Sequence, residues 1–329
     1  MYEFRRKKLV AGLKRPKALL NAVLLNNLKI KPINNPFSPW RIQIEPTSKC
    51  NLHCLSCSRS TYSKDMIGDM NLNDFKYIIN TIPNLLYAKI QGMGEPFFNK
   101  EIVNMLKYCK KKNIVTEIIT NGTIFVEESL NYLDRLGFSF DGGTKETFEL
   151  LRPGANFENV INNIKKAVKL REKTIIMMVV TVSNNNINEL TEIVDLAWSL
   201  KVNCIHFGLV EQWIVDQNEK RKEVFNLIPK NYRQKIVKAV KYAEEFGLQT
   251  SFNLNRDWAK TCLWPWHGLF ITYDGFITPC CIRPDKRVIN FGNVLKESFH
   301  EIWNNKKYQQ FRISLKENKP TNICKNCPS

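Results

Sequence analysis

From Trp40 onward the chain alternates between short runs rich in β-branched and aromatic residues and longer stretches with apolar residues every three or four positions. The short runs cover residues 41–45, 87–91, 115–120, 137–141, 175–182 and 204–210. The stretches between them predict helices, among them 72–82, 102–112 and 157–172, the last with Val160, Ile161, Ile164 and Val168 on one face. Six strand–helix units predict an α/β fold in which parallel strands curl into a partial (β/α)6 barrel. In such barrels the chemistry sits on loops that follow the strands.

Both ends of the chain break this rhythm. Before residue 38, Leu19, Leu20, Val23, Leu24 and Leu28 form a helical stripe opposite basic residues, and Pro32, Asn34, Asn35 and Pro36 interrupt it. Residues 1–37 therefore read as a basic amphipathic helical extension with a linker, suited either to packing on the barrel or to peripheral contact with an anionic membrane through residues 1–31. Residues 212–230 are polar and weakly periodic, a helix follows over 232–246, and a domain boundary is expected near 255. The expected division is 1–37, 38–255 and 256–329. No stretch approaches the ~20 apolar residues of a membrane-spanning helix, and the basic N-terminus lacks the apolar core of a signal peptide. A cytoplasmic protein is expected.

With 329 residues and 43% hydrophobic content, the chain is globular. Its formal net charge of +18 raises nucleic acid, membrane surfaces and anionic substrates as partners. Residues 1–31 contribute nine Lys or Arg against Glu3 alone, and the remaining charge is diffuse. Basic stripes interleaved with aromatics are missing outside the extension, which argues against nucleic acid. Eight of the ten cysteines lie in two neighbourhoods, 50–57 and 262–327, and without an export signal they point to metal ligation rather than disulfides.

The first group, Cys50, Cys54 and Cys57, is a CxxxCxxC directly after the first predicted strand. Three clustered thiolates suit one soft metal site and leave a four-coordinate demand unmet, as a catalytic cluster requires. A zinc site completed by His53 is the plainer alternative, but the place of His53 between two ligands makes that geometry awkward.

These residues resemble the radical S-adenosylmethionine (AdoMet) superfamily. Gly92-Met93-Gly94-Glu95-Pro96 follows the second strand, Thr120-Asn121-Gly122 the third, Ser139-Phe140-Asp141-Gly142 ends the fourth, and Arg152-Pro153-Gly154 comes next. The resemblance implies that Cys50, Cys54 and Cys57 hold three irons of a [4Fe-4S] cluster, with AdoMet on the fourth. It further implies cofactor contacts from Gly92, Gly94, Glu95, Asn121, Ser139, Asp141 and Arg152, the glycines letting backbone approach the methionyl group and Glu95 accepting from its ammonium. Reductive cleavage would then yield a 5'-deoxyadenosyl radical that abstracts a substrate hydrogen, fed by a reductant such as flavodoxin or ferredoxin. Ser56 departs from the pattern, because relatives place an aromatic residue or Met there against adenine.

The second group is Cys262, Gly275-x4-Cys280, Cys281 and Cys324-Lys-Asn-Cys327. On spacing alone a four-cysteine structural zinc site fits as well as a cluster. With Phe291-Gly-Asn-Val and Glu301-Ile-Trp303, the pattern resembles the SPASM and twitch auxiliary domains of the same superfamily, the shorter twitch form being closer. The resemblance implies a second, auxiliary [4Fe-4S] cluster on Cys262, Cys280, Cys324 and Cys327. Cys281 competes with Cys280, which the glycine spacing favours. A cluster saturated by four thiolates serves electron transfer.

Cys204 and Cys109 read as small buried hydrophobes, Cys204 with the sharper alternative of a hydrogen-atom donor. His206 and Glu211 bracket the end of the sixth strand, where a general base would sit, although a satisfied core histidine and a solvated glutamate are the simpler reading. The expected activity is a radical AdoMet oxidoreductase or maturase acting on a sugar, lipid-linked or peptide substrate. The short extension offers no leader-binding wing and favours the first two. The competing classes are an epimerase or peptide maturase of that superfamily and a non-catalytic zinc or nucleic-acid-binding protein.

Overall fold

The computed structural model describes residues 2–27, 31–210, 231–252 and 262–324. Six parallel strands run in chain order, β1 (Arg41–Ile44), β2 (Tyr87–Ile90), β3 (Val115–Thr120), β4 (Arg135–Ser139), β5 (Ile175–Val182) and β6 (Cys204–Leu209), and β7 (Gln249–Phe252) adds a seventh beside β6. The chain then returns to the other edge, where β8 (Gly268–Ile271) lies parallel to β1 with Gly268 opposite Arg41. β9 (Phe276–Thr278) and β10 (Gly292–Asn293) continue antiparallel from β8 and complete a ten-stranded sheet. The boundary expected near 255 lies outside the described residues.

Alternation along the strands separates two faces. Ile42, Ala88, Ile118, Leu136, Met178 and Phe207 are fully buried against the helices, as are Val160 and Ile164 on the expected face of helix Phe157–Leu170. The opposite face carries Gln43, Lys89, Ile119, Ser139, Thr181 and Phe270, which line a single cavity and so show the sheet to be curled. β4 begins and ends two residues earlier than its pattern suggests. Arg135 is tolerated in the strand because it points inward and pairs with buried Glu117 at 2.5 Å.

The N-terminal extension differs from the single helix expected. It forms α1 (Tyr2–Leu13) and α2 (Pro16–Asn27), with Pro16 starting the second helix, where its missing N–H costs nothing. The buried face of α2 is Ala18, Asn21, Ala22 and Leu25, and the two small alanines pack against Trp40 and Leu86, just ahead of β1 and β2. Leu20 and Val23 of the predicted stripe therefore face outward, while Leu28 lies outside the described residues. α1 stoppers the end of the sheet where the strands begin: Phe4 packs with Val115, Ile175 and Cys204 and lies edge-on to Tyr87. The linker after α2 is clamped by the C-terminal segment, with Trp266 Nε1 donating to Pro32 O and Trp303 Nε1 to Phe37 O, each at 2.8 Å.

Candidate active site

The cysteine loop leaves the C-terminal end of β1 and is fastened at both ends. On one side Ser48 Oγ donates to Met66 O at 2.8 Å, and Thr47 Oγ1 donates to Asp69 Oδ1 at 2.6 Å. On the other, His53 N donates to Pro153 O and Leu55 N to Leu151 O, both at 3.1 Å. Cys50, Cys54 and Cys57 are half-buried and line a cavity of about 400 Å³ at the C-terminal ends of the strands. Gly92, Gly94, Glu95, Asn121, Ser139 and Arg152 share its wall.

The glycines serve the loop itself. A Cβ on Gly94 would stand 2.4 Å from Thr47 O and 2.5 Å from Lys49 O, and one on Gly92 would meet Glu45 Cγ at 2.2 Å. Their bare backbone thus lets the second-strand turn nest against the cysteine loop, a need distinct from the expected approach to a methionyl group. Gly94→Ala is expected to push the loop aside, and the anaerobically purified variant should carry about four fewer irons than wild type by iron analysis.

Glu95 is engaged by the protein. Its carboxylate accepts from Thr120 Oγ1 and Asn121 N at 2.7 Å and from Phe97 N at 3.2 Å, and its own N–H donates to Lys49 O at 2.8 Å. Burial pushes its pKa up to about 7 against those donors. In the structure Glu95 ties three strand-end loops together. Glu45, at the end of β1, does the same for the glycine turn and the C-terminal segment, accepting from Met93 N at 2.7 Å and Tyr273 N at 3.2 Å.

Asp141 does not line the cavity. It accepts from Thr181 N at 2.7 Å and forms a buried ion pair with Arg152 at 2.6 Å, and Arg152 Nη1 lies 3.9 Å from Cys54 Sγ. Asn121 Nδ2 stands 3.7 Å from Cys50 Sγ, which also receives Leu52 N at 3.5 Å. N–H groups directed at two of the three sulfurs favour their thiolates, but burial outweighs them, raising the pKa of Cys50 and pushing that of Cys54 up to about 12, so the thiolate state has to come with the metal. Arg152 Nε and Gln91 Oε1 are buried at the cavity wall without a protein partner among the described residues. Such orphaned polar atoms fit a polar cofactor seated there. Among the described residues no three Cys, His, Asp or Glu side chains converge on one ion.

Three lining residues, Gln43, Lys89 and Phe270, escaped the sequence reading, and Cys281, weighed there only as a ligand of the second cluster, lines this cavity too. Lys89 lies on the inward row Tyr87-Lys89-Gln91 of β2, and its polar alternation with Ala88 and Ile90 was the available signal. Its Nζ is 4.0 Å from Glu117. His206 sits mid-strand in β6 rather than at the strand end, sharing a hydrogen bond of 2.8 Å with Ser251 Oγ, and burial followed by Lys89 lowers its pKa to about 4. It is thus held neutral within the sheet, while Glu211 lies outside the described residues. Cys204 is buried under α1, and Cys109 is buried in the helical core.

In the C-terminal segment Gly275 adopts φ +88° in the β8–β9 turn, a conformation that favours glycine, and Cys280 follows β9. Arg283 N donates to Cys280 O at 3.1 Å, and Arg283 Nε donates to Ile323 O beside Cys324, so the two cysteine-bearing turns are joined. Buried Tyr308 feels both Cys280 and Cys262, which with the larger effect of burial raise its pKa. Cys281 instead lines the cavity that holds Cys50, Cys54 and Cys57. Cys327 lies outside the described residues.

Comparison with known proteins agrees with this geometry. The model of the Radical SAM superfamily matches residues 44–197, and that of SPASM, an iron-sulfur cluster-binding domain, matches 262–328, together about two thirds of the chain. The tungsten-containing aldehyde ferredoxin oxidoreductase cofactor-modifying protein of Pyrococcus furiosus is 25% identical over 308 residues, covering 84% of this chain and 83% of that protein. The AdoMet-dependent heme synthase of Methanosarcina barkeri is 25% identical over 299 residues, covering 82% and 83%. Streptococcus suis SuiB, solved bound to precursor peptide SuiA, has the same fold, with a TM-score of 0.68 at 16% identity over 86% of this chain and 68% of that one. The chain therefore belongs to the radical SAM superfamily, as a member with a C-terminal SPASM domain, and its cofactors are [4Fe-4S] clusters and AdoMet.

Proposed function

We propose that this protein is a radical SAM modifying enzyme that removes a hydrogen atom from a substrate in the cavity and carries out a net oxidation. The supporting observation is that the three cysteines of the CxxxCxxC, the glycine turn and Arg152 share one cavity closed from below by Lys89 and Phe270. When bound there, the cluster on Cys50, Cys54 and Cys57 and AdoMet supply a 5'-deoxyadenosyl radical. The chain's part is to direct N–H groups of Asn121 and Arg152 at the sulfurs of Cys50 and Cys54, to orient AdoMet with Arg152, Gln91 and Ser139, and to exclude water.

Cys262, Cys280, Cys324 and Cys327 are proposed to hold the auxiliary cluster that accepts the second electron. The tether from Arg283 to Ile323, which joins the turn of Cys280 to that of Cys324, supports this set, and the place of Cys281 on the cavity wall sets it apart. The relatives named for cofactor modification and the SuiB–SuiA complex favour a peptide or cofactor precursor over a sugar or lipid-linked substrate.

Anaerobic reconstitution tests the reading. Protein with about eight irons that releases 5'-deoxyadenosine on addition of AdoMet and a low-potential reductant supports it. About two zinc ions per chain and no nucleoside release would replace it with the zinc-protein reading.

A further inference from the structure

We infer that α1 and α2 form a docking surface for an anionic phospholipid bilayer, placed at the end of the barrel opposite the active-site mouth. One side of these helices is spent on the barrel. Phe4, Ala18, Ala22 and Leu25 are buried, Lys7 pairs with Asp134 at 3.6 Å, and Lys8 lies over the rings of Phe4, Trp40 and Tyr87. The other side is apolar as well. Tyr2, Leu9 and Leu13, spaced by seven and four residues, fall on one outward stripe of α1, and Leu20 and Val23 face outward from α2. With Val10, these residues are 42 to 78% exposed, and six of the sixteen exposed large hydrophobics among the described residues fall within residues 2–23.

Charge selects the occupant. Arg5 and Arg6 on α1, Lys14 in the turn and Lys17 on α2 are exposed, and Glu3 is the only acidic residue of the two helices. Beside Val10 a groove of about 600 Å³ opens between α1 and the strand starts, lined by Arg6, Lys7, Lys14, Lys110 and Lys173 against Glu3 and Asp134. Apolar side chains flanked by cations, next to a cationic recess, match acyl chains beneath anionic headgroups. A nucleic acid would use the cations and leave the leucines in water. No helix among the described residues is long and apolar enough to cross a membrane, so the contact is peripheral.

The orientation follows from the fold. α1 touches the beginnings of β2 to β6, whereas the cavity lies at their ends, so the docked enzyme would turn its mouth away from the bilayer. The surface would therefore localise the enzyme without feeding lipid to it.

Cosedimentation of the full-length, anaerobically reconstituted protein with vesicles tests the inference. Vesicles of phosphatidylcholine with phosphatidylglycerol should retain the protein, and vesicles of phosphatidylcholine alone should not. The double variant Leu9→Glu/Leu13→Glu should lower partitioning at least ~tenfold, since burial of a leucine is worth more than a factor of ten. Arg5→Gln/Arg6→Gln should bind the anionic vesicles more weakly and with a smaller salt dependence than wild type, and both variants should release 5'-deoxyadenosine as wild type does. The inference is overturned if wild type ignores the anionic vesicles, or if the Leu9→Glu/Leu13→Glu variant binds them equally. It is overturned too if light scattering shows a wild-type dimer that this variant dissolves, which would assign the face to a second copy. Inorganic phosphate binding without vesicle binding would assign the groove to a free anion.

Discussion

Cys54→Ala should release no 5'-deoxyadenosine above the reductant blank, while Cys327→Ala should keep part of the wild-type release. Both variants are expected to lose about four of about eight irons, so iron content alone will not separate them. What separates them is place. Cys54 lines the cavity and lies 3.9 Å from Arg152 Nη1, at the site proposed for AdoMet cleavage. Cys327 belongs to the proposed auxiliary set, whose task begins only after the substrate has become a radical. Equal nucleoside release from Cys54→Ala and wild type would sink the assignment of the first cluster. Complete loss from Cys327→Ala, with the first cluster intact by electron paramagnetic resonance, would show that the auxiliary site is needed before cleavage.

Arg152→Leu should destabilise the protein by about 3–5 kcal/mol, the usual cost of stranding one member of a buried ion pair. Asp141 is 3% exposed and keeps only its bond from Thr181 N once the guanidinium is gone. The double variant Asp141→Asn/Arg152→Leu removes the stranded charge and should recover most of the loss. Urea unfolding of the anaerobic protein measures both. A single variant within experimental error of wild type would mean that the ion pair contributes nothing beyond its own desolvation.

The cysteine loops and the strand-end motifs were legible because their residue types are dictated by ligation and turn geometry, which act locally. The six barrel strands were legible on their helix-facing side, where fully buried apolar residues such as Ile42, Ile118 and Phe207 fall within short apolar runs. The inner face misled. Its polar residues, Lys89, Glu117 and Arg135, satisfy one another across strands, and such partners are invisible to a reading of one segment at a time. This is why β4 was expected two residues late, and why β7, the polar Gln-Thr-Ser-Phe, left no mark in the pattern. The N-terminal helices misled for the opposite reason. Their leucine stripe resembled a packing face, but the contact with Trp40 and Leu86 is made by Ala18 and Ala22 instead. The position of Cys281 on the cavity wall also lay beyond the sequence, because neighbouring side chains diverge only once the backbone after β9 is in place.

The parallel pairing of β8 with β1 bears on how the molecule is made. Arg41 and Gly268 are partners across most of the polypeptide, so until the ribosome has delivered the last quarter of the chain, the first strand waits with an unfilled edge. Closing so distant a pair is entropically late, and the stretch with an open edge is the interval of greatest exposure to misassociation. Glu45, bonded to Tyr273 N, sits at that final seam.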